Sequence, residues 1–141
     1  MKDKYIYDPI HGYILITPLM QQIIDTPEFQ RLRDLKQLGA TYYIFPSATH
    51  TRFEHSIGVS HLAGTMAQTL QKNQPELKIT DNIVELVRIA GLIHDIGHGP
   101  FSHLYDHQVK DHNEPEHEER GCKIFEQMVE KYQLPIDKDE V

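Results

Sequence analysis

The sequence has too few cysteines for a disulfide framework, and it has no hydrophobic run approaching the roughly 20 residues that a membrane-spanning helix needs. Its one cysteine, Cys122, cannot form a disulfide within the chain, which is typical of a reducing compartment. The first residues, Met1 to Lys4, do not lead into the apolar segment of a secretory signal. We therefore expect an intracellular protein, cytoplasmic or nuclear, that does not associate with membranes.

Positive charge is also scarce. The chain has 14 lysine and arginine residues against 21 aspartate and glutamate residues, and its formal net charge is -7. Such a balance argues against nucleic acid as a partner, because binding along a phosphate backbone needs clustered positive charge. The 141 residues, 39% hydrophobic and 25% charged, are typical of one globular domain with a hydrophobic core. We expect a single domain over residues 1–141.

Turn and capping residues predict a short β-hairpin followed by helices. Apolar segments flank the turn-rich residues 8–12, so we expect residues 4–16 to form a hairpin. Thr17 with Pro18, and Thr26 with Pro27, each predict a helix start in which threonine caps the helix and proline takes the first helical position.

Glycine and the spacing of apolar residues predict the remaining elements. Gly39 would end the second helix, and the β-rich residues 41–46 would form a short extended segment. Three further helices are expected over 51–73, from Thr80 to His94, and from Pro115 onwards. The predicted fold class is therefore all-α, with small β pieces at the N-terminal end.

Three histidines lie on predicted apolar faces of three different helices: His55, His94 and His117. His55 shares its face with Val59, Leu62 and Met66, and His94 with Ile83, Val87 and Ala90. Taken singly, such a histidine is more often a core residue than a ligand. Their convergence, with Asp95 beside His94 at a glycine break, favours a shared metal site. Imidazole nitrogen and carboxylate oxygen suit Fe, Mn, Zn or Mg.

His103 and Asp106 are three residues apart and would share one face of a short helix. A carboxylate beside an imidazole raises its pKa and orients it, which is the usual preparation of a general acid. A surface ion pair has the same spacing, so the spacing alone leaves both interpretations open.

Basic residues cluster modestly along the predicted helices. Arg31, Arg33 and Lys36 lie together, and Arg52 precedes His55 by three residues. Arginine suits phosphate oxygens. A solvated helix face is the preferred interpretation for Lys36 and is credible for Arg31.

Five ordered blocks of this sequence resemble the HD-domain phosphohydrolases. Within that family they look like the deoxynucleoside triphosphate (dNTP) triphosphohydrolases, closest to the animal enzymes that join a sterile alpha motif to an HD domain. The similarity runs over most of residues 4–130. The blocks are Asp8–Gly12, Ile24–Arg33, Lys36–Gly39, Arg52–Gly58 and Gly91–His103.

The resemblance implies an HD-domain helical bundle that hydrolyses a dNTP to deoxynucleoside and triphosphate. His55, His94 and Asp95 match three ligands of a divalent metal, Fe, Mn or Zn, with Mg accompanying the nucleotide. Around the substrate, Gln37 and Leu38 match residues beside the deoxyribose. His103, supported by Asp106, would protonate the leaving 5′ oxygen, and His117 matches another catalytic histidine. The residues matching those around the phosphates are Arg52, His98, His103 and His117.

The resemblance also implies regulation. A guanine nucleotide, GTP or dGTP, would bind at a subunit interface and activate a homo-oligomer, from dimer to tetramer. In that site Asp25 and Arg33 would hold the nucleotide. The full matching set is Lys4, Tyr5, Asp25, Gln30 and Arg33.

Two departures from the family pattern qualify these expectations. No sterile alpha motif precedes the core, and the family's fourth metal ligand, a downstream aspartate, has no counterpart, since Asp137 and Asp139 lie in a charged tail. We expect an incomplete HD domain, the N-terminal part of a larger enzyme or a truncated form. Two other functions stay open: another HD-type nucleotidase or phosphodiesterase, and a non-catalytic nucleotide sensor or single-strand nucleic-acid binder.

Overall fold

A computed structural model describes residues 2–103, 105, 108 and 115–137. Within these residues a two-stranded hairpin precedes five α-helices, with short 3-10 turns between them, which confirms the predicted fold class. No helix in the described part combines the length and hydrophobicity needed to cross a bilayer. The elements are β1 (Lys4–Asp8), β2 (Gly12–Ile16), α1 (Pro18–Ile24), α2 (Pro27–Gln30), α3 (Arg52–Asn73), α4 (Asp81–Ile93) and α5 (His117–Tyr132).

The N-terminal hairpin forms as the sequence predicts. β1 and β2 pair antiparallel, with Tyr7 opposite Tyr13. The turn is closed by Asp8, whose Oδ1 accepts hydrogen bonds from the backbone N–H groups of Ile10 and His11 at 2.8 and 2.9 Å. Gly12 then adopts a φ of 73°, a conformation that glycine enters without steric cost. The inner face of β2 is buried, and this anchors the hairpin on the helices.

The two Thr-Pro helix starts are confirmed, but the second helix is much shorter than predicted. Thr26 caps α2 by accepting from the backbone N–H of Phe29, and α2 then tightens into a 3-10 turn over Arg31–Asp34. The chain is already extended at Leu35, whose carbonyl accepts from the Arg52 backbone N–H at 2.8 Å. This pairing with the start of α3 ends the helix, so the expectation that it continues to Gly39 is wrong.

The prediction of an extended segment at residues 41–46 is also wrong. Residues Gly39–Tyr43 form a 3-10 turn, in which the Thr41 hydroxyl donates to the Leu38 carbonyl at 2.6 Å. A β-rich segment needs a neighbouring strand to satisfy its backbone, and none of the described residues supplies one here. The aromatic and branched side chains that follow are left exposed.

Helices α3 and α4 pack along each other, but not through the predicted stripes. Leu62 and Met66 of the α3 stripe are 55% and 66% exposed, and Ile83 of the α4 stripe is exposed too. The contact instead uses small residues: a Cβ added at Gly91 would lie 3.1 Å from the Cα of Ser60. A helix face made of small residues is not detected by the spacing of large apolar side chains. The buried faces comprise Phe53, Ile57, Ser60, Gly64 and Ala67 on α3, and Val84, Ile89 and Leu92 on α4.

His55 and His94 therefore lie at the edge of the helix pair and not in its core. Their side chains are 31% and 37% exposed, whereas Asp95, in the turn that follows α4, is 6% exposed. The hydrophobic core lies beneath this turn and joins the hairpin, α1, α2 and α5 to the ends of α3 and α4. Its most deeply buried side chains are Ile14, Met20, Ile23, Phe29, Leu32, Ile89, Leu92, Ile96 and Met128.

The turn after α4 touches the start of α5 backbone to backbone at Gly97. A Cβ at this position would overlap the carbonyl oxygen of His117 and lie 2.5 Å from the backbone N of Gly121. Because backbone atoms cannot move aside as a side chain can, we expect Gly97→Ala to lower the free energy of unfolding by about 3 kcal/mol. Urea denaturation measures this change.

Gly121 provides the matched control, since it lies on the other side of the same contact. A Cβ at Gly121 would meet no atom closer than 3.6 Å. Gly121→Ala should leave the stability unchanged, or raise it by up to about 1 kcal/mol through better helix propensity. Equal loss of stability in both variants would contradict the close approach at Gly97.

Candidate metal centre

Asp95 is the centre of the site, because four side chains point at its carboxylate. Arg52 Nη1 donates to Asp95 Oδ2 at 2.6 Å in a buried ion pair. The same Oδ2 lies 3.3 Å from Nε2 of His55 and 3.3 Å from Nε2 of His94. On its other side, Oδ1 lies 3.3 Å from Nδ1 of His98. The predicted convergence is therefore present for His55, His94 and Asp95. The prediction is wrong for His117, which lies in a separate group beside His98.

The spacing of the His55, His94 and Asp95 donors fits a divalent metal ion. All three donor atoms lie within 4.8 Å of one another. Ligand atoms about 2.0–2.2 Å from one ion, in tetrahedral or octahedral positions, are themselves about 3.0–3.5 Å apart. The two 3.3 Å separations are in this range. Two imidazoles and one carboxylate make a donor set suited to Zn, Mn or Fe, and the set does not identify which.

His94 is held for this role by the end of its own helix. Its Nδ1 lies 2.8 Å from the carbonyl of Gly91, one turn back, which leaves Nε2 directed at Asp95. A backbone carbonyl on the second ring nitrogen is the usual partner of a metal-binding histidine, since it fixes the tautomer and the ring plane.

The protonation states of Asp95 and His55 favour metal binding, while that of His94 opposes it. Burial alone would raise the pKa of Asp95, but hydrogen bonds from His94 and Arg52 hold it well below its ordinary value, so the carboxylate is ionised. Burial lowers the pKa of His55, which keeps its ring neutral and its lone pair available. Burial acts against the pKa of His94 as well, but the hydrogen bond to Asp95 outweighs it and raises that pKa.

A second histidine cluster adjoins the first and consists of His98, His103 and His117. The His98 ring centroid lies 5.2 Å from that of His103 and 3.9 Å from that of His117. His98 is 1% exposed, and neither of its ring nitrogens makes a hydrogen bond with the residues that the structure describes. Burial, followed by the charge of Arg52, lowers the pKa of His98 to about 4. A neutral, buried ring with unused nitrogens is suited to hydrogen-bond a ligand oxygen.

Arg52 is positioned by a residue that sequence reasoning did not find. Its Nε donates to Ser102 Oγ at 3.1 Å, and that hydroxyl donates to the carbonyl of Lys36 at 3.3 Å. Ser102 has a φ of 54°, an unfavourable conformation for a residue with a side chain. Nothing in the spacing of Ser102 distinguishes it from an ordinary turn serine.

Two arginines hold the turn that carries Asp95. Arg31 Nη2 donates to the carbonyl of Ile96 at 2.6 Å, and Arg120 Nε donates to the carbonyl of Gly97 at 3.1 Å. Arg31 is therefore partly buried against the backbone, so the solvated helix face suggested by the sequence does not describe it, and its phosphate role stays a prediction. Arg120 was missed, although it lies one turn after His117 on the predicted last helix.

The remaining substrate candidates lie at different distances from this centre. Gln37 lines a cleft of about 420 Å³ together with His55, and Leu38 is exposed beside it. The backbone N–H of Gln37 donates to the carbonyl of His50 at 3.1 Å, which fixes this part of the cleft. Asp106 lies outside the described residues, so its support of His103 stays a prediction.

The predicted nucleotide-regulatory residues form two separate groups in this chain. Arg33 Nε donates to Gln30 Oε1 at 2.8 Å, and the guanidinium lies 3.5 Å from the Phe53 ring centroid. Asp25 accepts from Gln21. Over the described range, no hydrogen bond or ion pair joins these residues to Lys4 or Tyr5 on the hairpin. The assignment stays a prediction, and it would need a second subunit or a ligand to link the groups.

Comparisons with known proteins agree with this geometry. The sequence matches the HD domain family over residues 52–141. It is 52% identical over 130 residues to the deoxynucleoside triphosphate triphosphohydrolase SAMHD1 of Homo sapiens. The aligned region covers 89% of this chain and 21% of the human protein. It is 50% identical over 137 residues to the Mus musculus protein of the same name. That aligned region covers 94% of this chain and 21% of the mouse protein.

A more distant relative shows a similar match. The SAMHD1 homolog of Dictyostelium discoideum is 46% identical over 142 residues, covering 98% of this chain and 28% of that protein. The chain thus spans between 21% and 28% of the length of these curated relatives.

Proposed function

The chain belongs to the HD-domain family, and from this we propose that it takes part in metal-dependent hydrolysis of a dNTP to a deoxynucleoside and triphosphate. The observation that carries the proposal is the convergence of His55, His94 and Arg52 on Asp95, next to a second histidine cluster. The names of its relatives in human and mouse support the same activity. The substrate, the metal and the assembly are parts of this proposal.

The metal would be held by His55, His94 and Asp95, with Mg accompanying the nucleotide. Bound there, a divalent ion would supply Lewis acidity for a phosphoryl oxygen and would lower the pKa of water. The chain's own contribution begins with the ionised Asp95 carboxylate and the neutral His55 ring, which are in the required states near neutral pH.

Arg52 and His98 would hold the substrate phosphates. Two of the three guanidinium nitrogens of Arg52 are committed to Asp95 and Ser102, so Nη2 is the nitrogen left for a phosphate oxygen among the described contacts. The buried His98 ring can donate one hydrogen bond. Since its pKa is about 4, His98 is neutral at pH 7 and cannot act as the general acid there.

His103 is the better candidate for the proton donor. It is exposed, and its ring lies 5.6 Å from that of His117 and 5.2 Å from that of His98. A proton from His103 would go to the 5′ oxygen as its bond to the α-phosphorus breaks. His117 and His98 would then fix the phosphates on the far side of this bond.

The test is product analysis after incubation with each of the four dNTPs and a divalent metal. Release of deoxynucleoside and triphosphate, lost in His94→Ala, supports the proposal. Release of monophosphate would favour another HD-type nucleotidase or phosphodiesterase. Nucleotide binding without any product would favour a non-catalytic sensor, and protection of single-stranded nucleic acid would favour the other alternative.

We further propose that GTP or dGTP promotes association of the protein into a dimer or tetramer through Asp25, Gln30 and Arg33, with Lys4 and Tyr5. The exposure of Asp25 and Arg33 supports this, since a ligand can reach both side chains. In light scattering, GTP should raise the molar mass of the protein, and Asp25→Ala should abolish that increase.

Asp34→Ala is the matched control, because Asp34 is an exposed acid on the adjoining turn and lies outside the proposed set. It should respond to GTP as the unmodified protein does. A mass that is independent of GTP in the unmodified protein would leave Asp25 as a helix-capping residue only.

Cys122, exposed and free, supports a reducing intracellular location.

A further inference from the structure

Arg88 opens onto a polar pocket away from the candidate metal centre. It lies on α4 six residues before His94, which is about 9 Å along a helix axis. The pocket has a volume of about 220 Å³ and is lined by side chains of α1, α3, α4 and the hairpin, with no carboxylate among them. Its polar residues on the two helices are Ser60, His61, Thr65, Gln68 and Arg88.

The guanidinium of Arg88 has no partner of opposite charge within the described part of the chain. No ion pair involves it, and its Nε is buried without a hydrogen-bond partner. None of the described hydrogen bonds or ion pairs uses the Nη nitrogens either, so the whole guanidinium lacks an acceptor among the described residues, and an acceptor that entered the pocket would be stabilised there. In a chain of net charge -7, an unpaired arginine in a pocket without carboxylates is unexpected.

The position of this guanidinium is fixed by the fold. The Arg88 side chain lies across Gly64 of α3, where a Cβ would overlap Nε and approach Cγ to 2.5 Å. In addition, Ser60 Oγ donates to the Arg88 carbonyl at 2.7 Å, which ties the α4 backbone to α3 at this residue. Glycine at position 64 therefore leaves room for the Arg88 side chain, and the Ser60 hydrogen bond fixes the Arg88 backbone against α3.

The surroundings of the pocket are electropositive. Burial, and then the charges of His11 and Arg88, lower the pKa of His61, against a smaller effect of Asp8. The Asp8 carboxylate is engaged by the backbone N–H groups of its own turn. The hydroxyls of Ser60 and Thr65 are already used as donors to backbone carbonyls. Besides the hydroxyls of Tyr5 and Tyr13 on the hairpin, the donors that remain for a ligand are Arg88, His61 and Gln68.

We propose that this pocket binds a phosphate group, either inorganic phosphate or a phosphate monoester. The guanidinium fork of Arg88 matches two phosphate oxygens, while His61 and Gln68 can donate to the others. A volume of 220 Å³ holds about seven water-sized groups of about 30 Å³. It therefore accommodates a phosphate and part of an attached body. Of the proposed regulatory nucleotide residues, the pocket includes Tyr5 alone, so the two sites are different proposals.

Nuclear magnetic resonance of the isotope-labelled protein, titrated with inorganic phosphate, tests this. Phosphate should produce saturable shifts of the Arg88 Nε–H and the Gln68 side-chain amide. Arg88→Gln should weaken the binding seen at Gln68 at least about tenfold, as expected for the loss of a charged hydrogen-bond partner. Lys123→Gln, which removes one exposed positive charge of α5, a helix that contributes no side chain to the pocket, should leave the affinity unchanged.

Further arms of the titration separate the possible outcomes. Gly64→Ala should weaken phosphate binding without changing charge, and its thermal unfolding checks that it folds. Tighter binding of ribose 5-phosphate than of inorganic phosphate would identify an ester site, and equal binding an inorganic phosphate site. The proposal is overturned if Arg88 and Gln68 do not respond, if sodium chloride at equal ionic strength gives the same shifts, or if Arg88→Gln binds phosphate as well as the parent.

Discussion

Replacing His94 with alanine should lower the divalent metal content of the purified protein at least about tenfold. The His94 Nε2 is one of three donors grouped around one point, and the Gly91 carbonyl already fixes its direction. Loss of a residue that merely orients a ligand costs about 10–100-fold in metal affinity, so loss of the ligand itself should cost at least as much. Elemental analysis of the variant and the parent, purified together, measures the change.

His94 is a better choice for this test than Asp95. Asp95 neutralises Arg52, whose side chain is only 5% exposed, and Asp95→Ala would leave that charge buried and unpaired at a cost of about 3–5 kcal/mol. A loss of metal in that variant could then reflect unfolding. The half-exposed His94 carries no such penalty.

His61→Ala serves as the control, because it removes a histidine of α3 that lies outside the donor group. Its metal content should equal that of the parent. If His94→Ala and His61→Ala retain as much metal as the parent, then the close approach of His55, His94 and Asp95 is a hydrogen-bonded cluster and not a metal centre.

Elements that depend on local chemistry could be predicted from the sequence. The Asp8 turn of the hairpin and the Thr17 and Thr26 caps each satisfy backbone N–H groups within three residues, so the sequence window contains the whole interaction. The end of α2 could not be predicted this way. It depends on the Leu35 carbonyl meeting the Arg52 N–H, 17 residues away.

The prediction of which faces of α3 and α4 pack together was wrong for a different reason. Each helix has two apolar faces, and hydrophobicity favours the one with larger side chains. The packed face of α3 carries Ser60 and Gly64 because the backbones approach closely there. Leu62 and Met66 remain exposed on the described surface. A glycine against which a neighbouring backbone or arginine packs is the signal that sequence reasoning would have needed.

In the candidate site, too, some residues could be predicted from the sequence and others could not. The residues with distinctive chemistry, His55, His94 and Asp95, could be found because histidines beside a carboxylate are rare and the resemblance placed them together. The residues that support them are ordinary ones. Ser102 and Arg120 act through single hydrogen bonds to Arg52 and to the Gly97 carbonyl, and these depend on chain segments that are far apart in sequence.

The second large effect concerns the proton donor. Under the proposed function, His103→Ala should lower kcat for dNTP hydrolysis by about 10²–10⁴, the usual contribution of a positioned general acid. Metal content should not change, since His103 lies outside the His55, His94 and Asp95 group. Steady-state kinetics on the metal-loaded protein, alongside elemental analysis, measures both quantities.

A substrate with a better leaving group distinguishes a proton donor from a residue that only positions phosphate. The p-nitrophenyl ester of triphosphate releases a phenolate that needs no proton, so His103→Ala should cleave it at nearly the parent rate. A variant of a phosphate-binding residue, such as His98→Ala, should lose activity on both substrates because both carry the same phosphates. If His103→Ala hydrolyses dNTPs at a near-normal rate, the proton must come from elsewhere. His117 is then the first candidate, since its ring lies 5.6 Å from that of His103 and, unlike the buried His98, it is partly exposed at the start of α5.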